Sequence, residues 1–317
     1  MHHLYRTRFY LLLIFLLLTS FFNLFASSTD KEYRSWAVLN HKASINLPHL
    51  NYTNFKKDVT VAIIDSGIDV THPYLRSNLI LNNENKLLDD SLGHGTHVAG
   101  IIKSVFPKVK ILPIKYYDEN ATGKENLEKT IEAIQYAIKM NVDIINYSAG
   151  GDGASPREKQ ALEQAQDHGI LVVVAAGNNG RNIDLAFNHY YPANYNLSNI
   201  LTVINHNENI ELSTLSNFGE ASAHISAPGN RIKSAYPNNR SGYLSGTSQA
   251  TAFVTGVAAL IKAYQPSLTY QDIKNIILQS SKKEKSLQVK CITGARLDAG
   301  SALALAHSYI RKVSFVP

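Results

Sequence analysis

The chain has 317 residues, 44% of them hydrophobic and only 18% charged, which is enough apolar material for a sizeable core and argues against a disordered chain. Its formal net charge of +6 is spread along the sequence with no long basic block, so nucleic acid is excluded as an expected partner. A single cysteine, Cys291, excludes an intramolecular disulfide and, standing alone, is a poor nucleophile candidate.

At the start of the chain, Arg6 and Arg8 precede an apolar run over residues 9–25, and the small residues Ala26, Ser27 and Ser28 close it. A positive segment, an apolar segment and a small-residue exit read as a secretory signal peptide over residues 1–26, which predicts a secreted or periplasmic protein. The run also approaches the roughly 20 residues a spanning helix needs, so an uncleaved membrane anchor is the alternative. Leu24 departs from the small residue usual three places before such a cut. Residues 29–58 are mixed and polar.

After them, short β-branched runs bounded by turn residues alternate with helical patterns. Residues 59–64, 111–117, 142–146, 170–176 and 200–204 read as buried parallel strands. Helices are predicted at 94–105, at 125–140 with Leu127, Ile131, Ile134 and Ile138 on one face, and at 156–168, where Ser155 caps and Pro156 takes the first position. Two more follow at 248–264 and 270–280, the second capped by Thr269. Clusters of Gly, Pro and Asn at 177–182, 192–196 and 228–242 read as surface loops. The alternation predicts an α/β fold with a doubly wound, mostly parallel sheet flanked by helices. No repeat or low-complexity tract interrupts it, so residues 27–317 are expected to form one domain.

Four settings carry chemistry. Ser248 lies in Ser245-Gly246-Thr247-Ser248-Gln249-Ala250, a small-residue turn opening into an apolar helix, where the macrodipole and free N–H groups favour a developing oxyanion. On its own it reads more simply as a helix cap. His94, in Gly93-His94-Gly95-Thr96-His97, is set by its glycines to stand exposed at a helix start as a general base requires. His94 and His97 lack the spacing of the metalloprotease pair, and His97 reads as a hydrogen-bonded core histidine. Asp65 ends the first strand, where sheets of this kind place their sites, and can orient a histidine or merely cap the next turn; Asp69 is the weaker alternative. Asn178 follows the strand Val172-Val173-Val174-Ala175-Ala176-Gly177 and suits either an oxyanion donor or a left-handed turn residue.

Asp, then His, then Ser in chain order is the subtilisin arrangement. Asp65-Ser66-Gly67, His94-Gly95-Thr96-His97 and Gly246-Thr247-Ser248 resemble the three active-site signatures of the subtilase family, and Ala176-Gly177-Asn178 resembles its oxyanion segment. The resemblance runs from about Trp36 to the Gly294-Ala295-Arg296-Leu297-Asp298-Ala299 ending. It implies a subtilisin-like fold and a serine endopeptidase that hydrolyses peptide bonds through an acyl-enzyme. Asp65, His94 and Ser248 would be the triad, Asn178 the oxyanion donor, and Ser148-Ala149-Gly150 and Ala121-Thr122-Gly123 the segments that bind substrate as an added strand.

The departures are Gln249 where the family carries Met, Ala252 where it carries Pro, and only residues 27–58 where it usually carries a fold-assisting propeptide. The family's tight calcium site uses an Asp after a His-Pro pair; here His72-Pro73 is followed by Tyr74, so no metal and no cofactor are expected, with Asp89-Asp90 and the 191–193 loop as fallback places for calcium. Expected partners are protein or peptide substrates of a monomer, and a membrane only if residues 1–26 stay attached. Two rival functions use the same chain: a catalytically silent peptide-binding module, and an esterase working through the same triad.

Overall fold

The computed structural model describes residues 32–50, 55–81 and 89–313, and the predicted signal segment, residues 1–26, lies outside them. Ten strands follow one another as β1 (Thr60–Asp65), β2 (Lys110–Lys115), β3 (Ile144–Tyr147), β4 (Leu171–Ala175), β5 (Ile200–His206), β6 (Ile225–Pro228), β7 (Ile232–Tyr236), β8 (Arg240–Leu244), β9 (Lys282–Lys283) and β10 (Ala295–Arg296). Eight form one sheet in the order β2-β1-β3-β4-β5-β6-β10-β9, parallel except for the short β9–β10 pair, as the doubly wound reading expects. Because β1 pairs with both β2 and β3, the winding reverses between β1 and β3. Such a switch point opens a crevice at the carboxyl ends of the strands.

The helices are α1 (His94–Val105), α2 (Gly123–Lys139), α3 (Pro156–Asp167), α4 (Thr247–Tyr264), α5 (Tyr270–Gln279) and α6 (Ala299–Val313). Alternate strand residues face opposite layers, so Val61, Ile63, Leu171 and Val173 pack with α1, α4, α5 and α6, while Ala62, Ile64, Val172 and Val174 pack with α2 and α3. Both faces are covered, which is why the strands are apolar on both sides. Fully burying each of these Val, Ile and Leu side chains is worth about 1.5–3 kcal/mol. Helix α4 is buried along nearly its whole length, and a Cβ on Gly256 would lie 2.7 Å from Val105 Cβ, so glycine there sets how closely α1 and α4 approach.

Local chemistry accounts for most boundaries. Helix α1 spans the predicted residues, and Ser155 with Pro156 starts α3 as expected. Helix α2 begins two residues before the predicted 125, because Thr122 and Glu125 form a capping box in which each side chain accepts from the other's backbone N–H. The 228–242 segment is not a surface loop. It holds the β7–β8 hairpin, with Ile232 and Ala235 buried in the core shared with α1 and a turn in which Asn238 and Asn239 take positive φ. Strand β8 is half exposed and shows no clean alternation, which hid it from a periodicity reading.

Candidate active site

Asp65 is the last residue of β1. It is in register with Lys115 on one side, but pairing with β3 stops one residue earlier, at Ile64↔Tyr147, so the carboxylate emerges at the switch point. His94 opens α1 after Gly93, whose left-handed φ of 77° turns the chain into the helix. A Cβ on Gly95 would sit 3.1 Å from Asp65 Cβ, so glycine is what lets the helix start approach the strand end. His94 Nδ1 donates to Asp65 Oδ1 at 2.7 Å, with the carboxylate side chain 5% exposed and the imidazole 34% exposed. Ser66 N–H donates to the same oxygen, while Asp65 Oδ2 is buried without a protein partner. Leaving a buried acceptor unpaired costs about 1–3 kcal/mol.

Desolvation lowers the His94 pKa, but the charge of Asp65, the hydrogen bond to it and the charge of Asp90 outweigh that and leave it raised. One turn on, His97 is fully buried with Nε2 against the carbonyls of Ile232 and Gly242, and burial pushes its pKa down to about 4. His97 is therefore a neutral core residue. Asp69 accepts from Thr71 and from Asn238 N–H and holds turns together, away from the imidazole.

Asp90, considered in the sequence only as a fallback calcium ligand, is the residue that anchors the helix start. Its carboxylate accepts from Ser66 Oγ, Gly93 N–H, Thr96 N–H and Thr96 Oγ1, all between 2.6 and 2.8 Å. Gly93 at the cap position has no side chain to satisfy the first N–H groups of α1, and Asp90 does so from outside the helix. The available signal was an acid shortly before a helix start.

Ser248 is the second residue of α4, and the cap position belongs to Gly246, so the simple cap reading does not hold. Its hydroxyl, 6% exposed as a residue, donates to the Ser148 carbonyl oxygen at 3.0 Å. Beneath it Thr255 Oγ1 donates to Asn146 Oδ1 and Asn146 Nδ2 to Ser148 Oγ, a chain that ties β3 to α4. Asn178 is exposed, and its Oδ1 accepts from Thr247 N–H at 2.9 Å and Thr247 Oγ1 at 3.1 Å. Gly177 takes the left-handed φ of 98°, so Asn178 is not the turn residue and its amide N–H₂ stays free to donate beside Ser248. The observed bond of the Ser248 hydroxyl goes to Ser148 and not to His94; a carboxylate-oriented imidazole, a hydroxyl at a helix start and an outward amide are nonetheless the groups that nucleophilic acyl transfer uses.

Ser148 is buried, Ala149 half-buried and Gly150 exposed, beyond the last β3 register pair. Ala121, Thr122 and Gly123 lie on the other side of β1 at the start of α2, partly or fully exposed, and bond to none of the four residues above. At His72-Pro73-Tyr74, the Lys103 ammonium lies 4.5 Å over the Tyr74 ring and donates to the Tyr74 carbonyl oxygen. Among the described residues no group of three or more His, Cys, Asp or Glu side chains comes together as a metal site. None of the described helices is long and apolar enough to cross a membrane.

A family model described as "Subtilase family" matches residues 56–295. The chain is 38% identical over 228 residues to the major intracellular serine protease of Bacillus subtilis (strain 168), a match covering 66% of this chain and 70% of that protein. It is 37% identical over 239 residues to the thermostable alkaline protease of Halalkalibacterium halodurans, covering 72% of this chain and 63% of that longer protein. Among solved structures, a cold adapted subtilisin-like serine proteinase superposes with a TM-score of 0.71 at 27% identity, covering 84% of this chain and 98% of that one.

Proposed function

This chain belongs to the subtilase family and is a serine-type endopeptidase, and on that premise we propose that Ser248, His94 and Asp65 form its catalytic triad and that Asn178 holds the oxyanion. Ser248 Oγ leaves the Ser148 carbonyl and attacks the scissile peptide carbonyl. His94 Nε2 takes its proton and returns it to the leaving amine, and water then repeats the sequence on the acyl-enzyme. Asp65 holds Nδ1–H and stabilises the imidazolium. The Asn178 amide and the Ser248 backbone N–H receive the negative charge, and Ser148-Ala149-Gly150 and Ala121-Thr122-Gly123 flank the extended substrate.

The 2.7 Å Asp65–His94 hydrogen bond carries this reading, because it commits Nδ1 as donor and leaves Nε2 as the base. Labelling by a fluorophosphonate, mapped to Ser248 by mass spectrometry, should disappear in Ser248→Ala together with casein hydrolysis. Equal casein hydrolysis by Ser248→Ala and wild type overturns the assignment.

Residues 1–26 are further proposed to export a single catalytic domain, residues 27–317, that acts as a monomer on proteins or peptides outside the cytoplasm. A mass-spectrometric N-terminus near Ser27 on exported protein supports this. Full-length protein retained inside the cell sinks it.

A further inference from the structure

We propose that Tyr190 fills the depth of the primary specificity pocket, so that this enzyme cleaves after small residues such as alanine, serine and glycine rather than after large apolar or aromatic ones. The proposal rests on the triad reading above, which fixes where the substrate carbonyl sits.

Strands β3 and β4 are neighbours in register as far as Tyr147↔Val174. Beyond that pair, Ser148-Ala149-Gly150 and Ala176-Gly177-Asn178 leave the sheet as the two walls of a crevice. Ser248 is hydrogen-bonded to the first wall through Ser148 O, and Asn178 belongs to the second. A carbonyl placed between Ser248 Oγ and the Asn178 amide therefore directs the side chain of its own residue between the two walls.

That space is already occupied. A Cβ on Gly150 would lie 2.6 Å from Tyr190 Cε1 and 3.0 Å from its Cζ, and a Cβ on Gly177 would lie 3.0 Å from both Tyr190 Cε2 and Cζ. The phenol end of one ring is thus held by a glycine on each wall, one against each edge. A Cβ would meet the Tyr191 carbonyl oxygen from Gly150 and Asn217 Nδ2 from Gly177 closer still, so both walls are closely packed with the Tyr190 ring among the atoms that fill them.

The ring is also held from behind. Tyr190 N–H donates to Asn194 Oδ1 at 2.8 Å, and Asn194 Nδ2 donates to the Ile183 carbonyl and to Ser222 Oγ. The next residue, Tyr191, exchanges both backbone hydrogen bonds with Gly151 on the first wall, at 2.8 and 2.9 Å. The segment bearing Tyr190 is therefore pinned to the crevice at two points, and swinging the ring away breaks contacts with both glycines. An aromatic side chain buries about 150–250 Å², so two of them do not share one such slot. Burial pushes the phenol up to about 12, so it lines the pocket uncharged. Asp152, just beyond the first wall, is ion-paired at the surface with Arg181.

The test is a peptide library varied at the residue before the cleaved bond, cut by full-length wild type, Tyr190→Ala and Tyr190→Phe, each normalised by fluorophosphonate active-site titration. Wild type and Tyr190→Phe should cleave after Ala at least about tenfold better than after Phe, since mismatched pocket volume costs about 10–200-fold. Tyr190→Ala should invert that order. A wild-type profile headed by Phe or Leu, or a Tyr190→Ala profile like wild type, overturns the proposal while labelling at Ser248 keeps the triad intact. The wild-type profile decides the matter even if Tyr190→Ala does not fold. A wild type that neither labels at Ser248 nor cleaves any peptide sinks the triad reading itself.

Discussion

The two ends of the central sheet each carry a largely buried aspartate, and they use it differently. At the amino end Asp143, just before β3, has both carboxylate oxygens engaged: one takes the Lys57 ammonium and the other the Thr60 N–H, stapling the foot of β1 to that of β3. At the carboxyl end Asp65 gives one oxygen to His94 and Ser66 and keeps the other buried with no protein partner. Residue type, burial and position at a strand end do not separate these two acids. Saturation of their hydrogen bonds does: Asp143 has both oxygens paired, while Asp65 keeps one buried oxygen open. Within α1 the charge of Asp65 helps raise the pKa of His94 against desolvation, while burial outweighs the carbonyl hydrogen bonds of His97 and leaves that residue neutral.

The sharpest test of that contrast removes the nucleophile. Ser248→Ala should lower kcat by about 10⁶ with little change in melting temperature, since only a hydroxyl bonded to Ser148 O is lost. A fall in melting temperature of many degrees would place Ser248 in the structural class with Asp143. Asp65→Asn should cost about 10⁴ in kcat. It also tests the pKa argument: the wild-type acid limb of kcat/KM, where His94 loses its proton, should lie above the ordinary histidine value of about 6.5, and removing the Asp65 charge should move it down. The sign for stability is opposite: with a raised folded-state pKa, the ion pair stabilises fully below the unfolded pKa and less as pH rises through the folded one. An acid limb unmoved by Asp65→Asn would break the comparison.

Asn178→Ala should leave fluorophosphonate labelling in place but reduce kcat by about 10² to 10³, the usual loss for one oxyanion donor. Loss of labelling instead would mean that the Asn178–Thr247 bonds chiefly shape the start of α4. At the other end of the sheet, Asp143→Asn should lower the melting temperature and leave kcat unchanged, whereas an activity loss without destabilisation would erase the distinction between the two ends. The smallest effect concerns metal: EDTA should not shift the melting temperature of Ser248→Ala protein, and a drop of many degrees restored by calcium alone would reveal a site the chain's own acids did not announce.

The order of strands and helices, the start of α1 and α3, and the three positions proposed as the triad follow from short stretches of sequence. Hydrophobic period, caps and the flanking glycines act within a few residues, but Asp65, His94 and Ser248 become candidates only when their motifs are read together in chain order and against the family resemblance. What each of them bonds to is not legible there. A cap and a nucleophile are both open readings of Ser248 until Gly246 takes the cap, a turn residue and an oxyanion donor are both open readings of Asn178 until Gly177 takes the positive φ, and Asp90 anchors α1 only once the strand end and helix start meet. Tyr190 had no local signal, because its contacts, Gly150 and Gly177, lie on two different strand ends that only the sheet brings together. The β7–β8 hairpin escaped for the same reason, since its strands are held against α1 by burial of a few residues and not by a pattern of their own. Period and caps are properties of neighbouring residues, whereas partner saturation and pocket depth are properties of surfaces assembled from distant ones.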